Sequence, residues 1–198
     1  MNGQLKELLY QMLETELGGV QVYTTALECV VNDDLREEWT KYLEQTERHV
    51  DVMRQLLGTV GLDPEVQTPG RQVVRHIGES LVQAMQMALA SGGEPEAAEL
   101  VACECVVFAE TKDHMNWELL SKYAQKAAQG KEKEALTAAC EQVEDQEDEH
   151  IYHSKGWCRE LWIQSLQMPA VLPPPEEERK VKTALGAAHA EQAREEML

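Results

Sequence analysis

The chain has 198 residues, which is long enough for one domain with a sizeable core and too short for two domains of ordinary size. Its 36 acidic and 18 basic residues give a formal net charge of −18, which argues against nucleic acid or an anionic membrane surface as a partner and suits cations. Because it has neither an apolar run of about 18 residues nor a basic N-terminal segment followed by an apolar one, we expect a soluble, cytoplasmic protein.

Two long helices are predicted first, from about residue 5 to 30 and from about residue 33 to 60. Ala, Leu, Glu, Gln and Met are abundant and there are only seven prolines, which favours an all-α protein. The segment Asn32-Asp33-Asp34 offers an N-cap for the second helix. The connection is so short that the two helices are expected to form an antiparallel hairpin.

A second pair of long helices follows a shorter amphipathic segment. The shorter segment spans about residues 73 to 89, is preceded by a loop closed by Pro69-Gly70, and has the length of a crossover. Pro95 suits the first turn of the third long helix, which is expected to end near residue 130, and a fourth runs from about 132 to 166. Two hairpins joined by a long crossover predict a four-helix bundle. The side chains expected to face inward on the crossover are Val74, Ile77, Leu81, Met85 and Leu89.

The end of the chain has a different composition. Three consecutive prolines at 173 to 175 cannot continue a helix. The Ala- and Glu-rich segment that follows is expected to be a loosely docked helix or a disordered tail, with a thin apolar stripe made by Val181, Leu185, Ala188 and Leu198. We therefore divide the chain into a bundle, residues 1–168, and a proline-rich linker with a C-terminal tail, residues 169–198.

Several polar residues fall on the predicted apolar faces. Glu16 lies among apolar neighbours and is followed seven residues later by Tyr23, and Glu110 is followed seven residues later by Trp117. Two helices, one from each hairpin, thus carry an inward carboxylate followed two turns later by a large aromatic residue, to which we assign a packing role.

The other two long helices supply histidines. Glu147 and His150 are three residues apart, so both side chains can address one point, and His49 matches His150 on the second helix. A carboxylate-bridged two-metal site in a bundle takes one Glu from each of two helices and a Glu-x-x-His from each of the others. Five of these six ligands are present, but Thr46 stands where the sixth, a glutamate, is expected.

At these motifs the sequence resembles the ferritin-like superfamily, especially bacterioferritin and rubrerythrin. The similar stretches are LETELGGVQVYTTAL, TERHVDVMRQLLGTVGLDP, AETKDHMNW and EDEHIYHSKGW. The resemblance implies a site for two iron ions, or alternatively manganese, that reacts with O2 or peroxide in an oxidase, peroxidase or ferroxidase. It implies as metal ligands Glu16, His49, Glu110, Glu147 and His150, with Glu147 as the bridge.

Thr46 departs from this pattern, since a hydroxyl cannot bridge two cations as a carboxylate does. Gln45, Asp113 and His114 are the neighbours that could compensate, and we favour Asp113 or His114 because both can share the helix face of Glu110. A single metal or an asymmetric pair is the other outcome.

A rival hypothesis is a metal-poor ferritin-like scaffold, without redox activity, that uses its tail to dock elsewhere. In either case a homodimer is our expectation for the oligomeric state.

Overall fold

The computed structural model describes residues 2–198, apart from the side chain of Glu195, and contains helices but no strand in that part of the chain. The all-α prediction is therefore confirmed. No helix within residues 2–198 is long and apolar enough to cross a membrane. The helices are α1 Gly3–Cys29, α2 Asp33–Thr59, α3 Pro69–Ala90, α4 Pro95–Lys126, α5 Gly130–Ser165, α6 Pro175–Glu178 and α7 Ala184–Ala193, followed by a 3-10 turn, Arg194–Glu196.

The four longest helices pack in a closed ring. Helix α1 contacts α2 and α4, and α5 contacts the same two helices from the other side. Connections of three residues join α1 to α2 and α4 to α5, so that each pair forms a hairpin. Helix α3 connects the two hairpins and lies against α1 and α4 on the outside of the ring.

Side-chain caps fix where two of the helices begin. The Asn32 side chain accepts a hydrogen bond from the backbone N–H of Leu35, at 3.1 Å, as the sequence predicted. Thr68 caps α3 in the same way through the N–H of Arg71, also at 3.1 Å. The loop before α3 ends at Thr68, and Pro69 is the first residue of α3, where its missing N–H costs no hydrogen bond. The helix therefore begins four residues before the predicted start at residue 73.

Two apolar clusters fill the ring, one toward each end. The first joins the N-terminal half of α1, from Leu5 to Leu13, to the C-terminal half of α2, from Val50 to Leu57. The second joins the C-terminal part of α1, from Val22 to Cys29, to the N-terminal half of α2 and includes Trp39. This pairing of opposite halves shows that the hairpin is antiparallel. Between the two clusters α1 contributes the buried Glu16.

Ion pairs help to hold helix α3 against α1. Arg71 is buried and donates to the Glu14 carboxylate, and Arg75 donates from Nε to Glu14 Oε1 at 2.6 Å. Of the five side chains predicted to face inward on this segment, only Met85 is fully buried, while Ile77 is 55% exposed. The prediction of a buried apolar face on the crossover is therefore only partly correct.

The segment after the prolines packs against α5, and polar anchors hold it there. Arg159 on α5 donates to Glu176 at 2.7 Å, and Arg194 donates from Nε to the buried Glu160 at 2.8 Å. The predicted apolar stripe is wrong for most of its members: Val181 is buried, but Leu185 is 67% exposed. Charge pairing, which the apolar pattern does not reveal, therefore positions this segment.

Candidate metal centre

The five side chains predicted as ligands converge between the two apolar clusters. Helix α1 contributes Glu16, α2 contributes His49, α4 contributes Glu110, and α5 contributes both Glu147 and His150. None of the five is more than 3% exposed to solvent. All four long helices therefore meet at this buried point.

The side chains form two groups that share one residue. Potential ligand atoms of Glu16, His49 and Glu147 all lie within 4.8 Å of one another. The same criterion is met by Glu110, His150 and Glu147. Glu147 thus lies between two sets of donors, each with one imidazole and one further carboxylate.

Each histidine turns its Nδ1 atom toward carboxylates. The Nδ1 atom of His49 lies 2.9 Å from Glu147 Oε1 and 3.7 Å from Glu16 Oε2. The Nδ1 atom of His150 lies 3.5 Å from Glu110 Oε2 and 3.8 Å from the same Glu147 oxygen. One oxygen of Glu147 is therefore common to both halves of the site.

The opposite nitrogen of each imidazole is held by a glutamine from the facing helix. His49 Nε2 donates to Gln146 Oε1 at 2.9 Å, and His150 Nε2 donates to Gln45 Oε1 at 2.8 Å. In the neutral imidazoles the amides therefore place the proton on Nε2, so that Nδ1, once it has lost its proton, directs a lone pair at the carboxylates. Sequence reasoning considered Gln45 only as a substitute ligand and missed Gln146. The signal was present as QTERH and QEDEH, each with Gln four residues before His.

Lone pairs and carboxylate oxygens that face one another in a buried site require a cation or a proton between them. Ten buried side-chain polar atoms lack a hydrogen-bond partner among the described residues, and six of them belong to this cluster. These six are Glu16 Oε2, His49 Nδ1, Glu110 Oε2, Asp113 Oδ1, Glu147 Oε2 and His150 Nδ1. Nearly all buried polar groups in folded proteins have a hydrogen-bond partner. This concentration of potential ligand atoms without such a partner therefore fits a metal-binding site.

Asp113 and His114, the two favoured substitutes for the missing glutamate, lie in different surroundings. Asp113 is 5% exposed and belongs to the carboxylate cluster. His114 is half-buried and directs its Nε2 toward Asp148 Oδ1 at 2.7 Å. Thr46 is buried and donates its hydroxyl to the Tyr42 carbonyl at 2.9 Å. Asp113 is thus the additional carboxylate that the structure brings to the site.

Crowding of these groups changes their protonation. Burial raises the pKa of Asp113 well above its ordinary value, and the charges of Glu16, Glu147 and Glu110 raise it further. Burial likewise raises the pKa of Glu147. For His49 burial acts in the opposite direction, but Glu147 and Glu16 outweigh it and raise the pKa to about 10. Without a metal, the cluster therefore retains protons that a cation would displace.

Aromatic residues next to the cluster do more than fill space. Trp117 Nε1 donates to Glu16 Oε1 at 2.8 Å and so fixes one oxygen of that carboxylate. The ring of Tyr42 lies 4.1 Å from that of His150, between centroids, and Tyr23 meets the same imidazole edge-on at 6.1 Å. Burial and the Glu110 charge raise the pKa of Tyr23, which keeps it a neutral phenol. Trp117, to which the sequence analysis assigned only packing, also orients a candidate ligand.

Four carboxylates and two imidazoles form a hard, anionic donor set that suits iron or manganese.

No family model matches the chain, and comparisons with curated proteins and with solved structures find no match to it.

Proposed function

We propose that the chain is a ferritin-like metalloprotein that holds two iron ions, or alternatively two manganese ions, between its four long helices. The observation that carries this proposal is the pair of His/carboxylate groups that share Glu147. Glu16, His49 and Glu147 would hold one ion, and Glu110, His150 and Glu147 the other. Apart from the glutamate that Thr46 replaces, these residues match the ligand pattern of carboxylate-bridged two-metal sites in helical bundles, in which the ligands project inward from all four helices.

Asp113 supplies the carboxylate that Thr46 does not. The hydroxyl of Thr46 is already committed to the Tyr42 carbonyl. A side chain on Gly19 would meet the Thr46 methyl group at 3.1 Å, so Thr46 fills the space beside α1 tightly. Asp113 lies one turn after Glu110 on α4 and has an unsatisfied buried oxygen, Oδ1. We assign Asp113 as the sixth ligand and expect the two halves of the site to be unequal.

Bound iron or manganese would supply redox chemistry toward O2 or peroxide, which places the chain among oxidases, peroxidases or ferroxidases. The chain itself contributes position and environment. Gln45 and Gln146 hold both imidazoles with Nδ1 facing inward. The two apolar clusters on either side of the ligands exclude bulk water, which strengthens the attraction between the carboxylates and a cation.

Metal content per chain tests the proposal. We would purify wild type, His150→Ala and His76→Ala without chelator, because His76 is exposed and serves as a matched control. About two iron or manganese ions per chain are expected in wild type and in His76→Ala, and fewer in His150→Ala, provided that circular dichroism shows all three folded. Wild type without bound metal would instead support the metal-poor scaffold.

Reactivity is tested separately, by adding Fe(II) without oxygen and then admitting air. Oxidation clearly faster than in buffer alone is expected for wild type but not for His150→Ala. If the protein binds metal but oxidises Fe(II) no faster than buffer does, the proposed metal site is supported and the proposed ferroxidase activity is refuted.

A further inference from the structure

A cleft of about 270 Å³ opens between α4 and α5, next to the candidate metal centre. Its outer part is acidic and is formed by Glu118, Glu144, Asp145 and Asp148. The side chain of Asp145 is 85% exposed and that of Glu118 is 53% exposed, so both are in contact with solvent. We call this feature the acidic cleft.

The inner wall of the acidic cleft includes two residues of the site. Glu147, only 1% exposed, contributes to the lining, and its Oε2 atom has no hydrogen-bond partner among the described residues. Trp117 also lines the cleft and donates to Glu16. The acidic cleft therefore joins the solvent to the carboxylate shared by the two halves of the site.

Few positive charges oppose this acidic surface. His114, which also lines the cleft, is paired with Asp148, and Lys182 lies 3.4 Å from Asp145. Glu118 forms an ion pair with Lys122, whose Nζ atom lies 3.9 Å from a Glu118 carboxylate oxygen. The side chains of both residues are more than half exposed. Exposed pairs of this kind are weak and exchange readily with ions in solution.

An opening beside α1 is different in character. It is an apolar groove between α1, α3 and α4, lined by residues such as Val22, Ile77 and Phe108, and none of the six candidate ligands contributes to its lining. A hydrated cation gains nothing from such a surface, because it cannot exchange its water for ligands there.

We propose that the acidic cleft is the route by which divalent cations enter the metal centre. This inference rests on the proposed function, since it needs a metal site at the inner end. Carboxylates focused in a cleft raise the local concentration of cations and speed their association. Glu118, Glu144 and Asp145 would attract the hydrated ion, and Glu147 would be the first ligand of the site that it meets.

Rates of metal uptake test this route. We would mix chelator-treated protein with Co(II) alone and follow the quenching of tryptophan fluorescence by stopped flow, with the final Co(II) stoichiometry measured on the same samples. The cleft variant is Glu118→Gln/Glu144→Gln/Asp145→Asn. The control, Glu37→Gln/Glu44→Gln/Glu47→Gln, removes the same charge from exposed positions on α2.

At low salt the cleft variant is expected to load about tenfold more slowly than the control. The difference should shrink in about 0.5 M NaCl, where charges are screened, and both proteins should reach the same final stoichiometry. Equal loading rates at low salt, with Co(II) bound in both proteins, would refute the entry route alone. If wild type takes up no Co(II), the proposed metal site and the route both fail.

Discussion

Substituting Asp113 by Asn is expected to have opposite effects on the metal-free and the metal-loaded protein. Asp113 is buried among three other carboxylates, and its Oδ1 atom has no hydrogen-bond partner within the part of the chain that the structure describes. At neutral pH the unfolded chain carries this group ionised, so that folding without metal must either protonate it or bury its charge. Asn has the same shape, carries no charge, and can donate to a neighbouring carboxylate.

The size of the effect follows from these contacts. Relieving one unsatisfied buried polar group is worth about 1–3 kcal/mol, so metal-free Asp113→Asn is expected to be more stable by about that amount. For a chain of this length the change corresponds to a rise of roughly 2–12 °C in the melting temperature. Because folding raises the pKa of Asp113 above its ordinary value of 3.8, the penalty is absent below that pH and grows above it. The gain should therefore be larger at pH 7 than at pH 4.

Thermal unfolding with and without Mn(II) measures both effects. With Mn(II) at about 100 times its dissociation constant, the free energy of unfolding of wild type should increase by about 2.7 kcal/mol, which corresponds to a rise of roughly 5–11 °C in the melting temperature. Asp113→Asn should gain less, because it has lost an anionic ligand. Asp51→Asn is the matched control, since the Asp51 side chain is 81% exposed, and it should behave as wild type. If Asp113→Asn destabilises the metal-free protein, or responds to Mn(II) as wild type does, Asp113 has a structural role and is not a ligand.

Three further expectations follow from the same contacts. Metal binding at pH 7 should release about one to three protons per chain, detectable with a pH indicator in weak buffer, because the pKa of His49 and of the neighbouring carboxyls is raised. Trp117→Phe removes the hydrogen bond to Glu16 and should weaken metal affinity about 10–100-fold in a chelator competition; unchanged affinity would restrict Trp117 to packing. Arg194→Met deprives buried Glu160 of one partner and should cost about 1–3 kcal/mol of stability; hydrogen exchange should then rise throughout residues 184–196, and exchange as slow as in wild type would contradict the polar anchor.

Local signals in the sequence were sufficient for the helices. Asn32 and Pro95 mark helix starts because capping and the fixed φ of proline act within one turn. The spacing of three between Glu147 and His150 likewise predicts their shared direction from helix geometry alone. The same reasoning, applied to each of the four long helices, placed five polar residues on inward faces, and the structure brings those five side chains together.

Long-range pairing was beyond such reasoning. The burial of Glu160 depends on Arg194, which is 34 residues away along the chain, and no local pattern relates the two. The same is true of Glu14 and the arginines of α3. In both segments the expected apolar stripe was an incomplete guide, because ion pairs, which depend on a partner from another element, contribute to the attachment.

The matching segments QTERH and QEDEH orient the two histidines of the candidate site without a contribution from Thr46. In each segment the glutamine binds the histidine of the other, so the two helices orient each other's imidazoles whether or not position 46 carries an acid. Under the proposed function the bridging position would fall to Glu147 alone, and α4 would provide the extra carboxylate through Asp113. A glutamate introduced at position 46 would lose the hydroxyl bond to Tyr42 and add another charge to a crowded cluster. The proposed site is therefore compatible with threonine at position 46, because Asp113 offers a carboxylate from another helix.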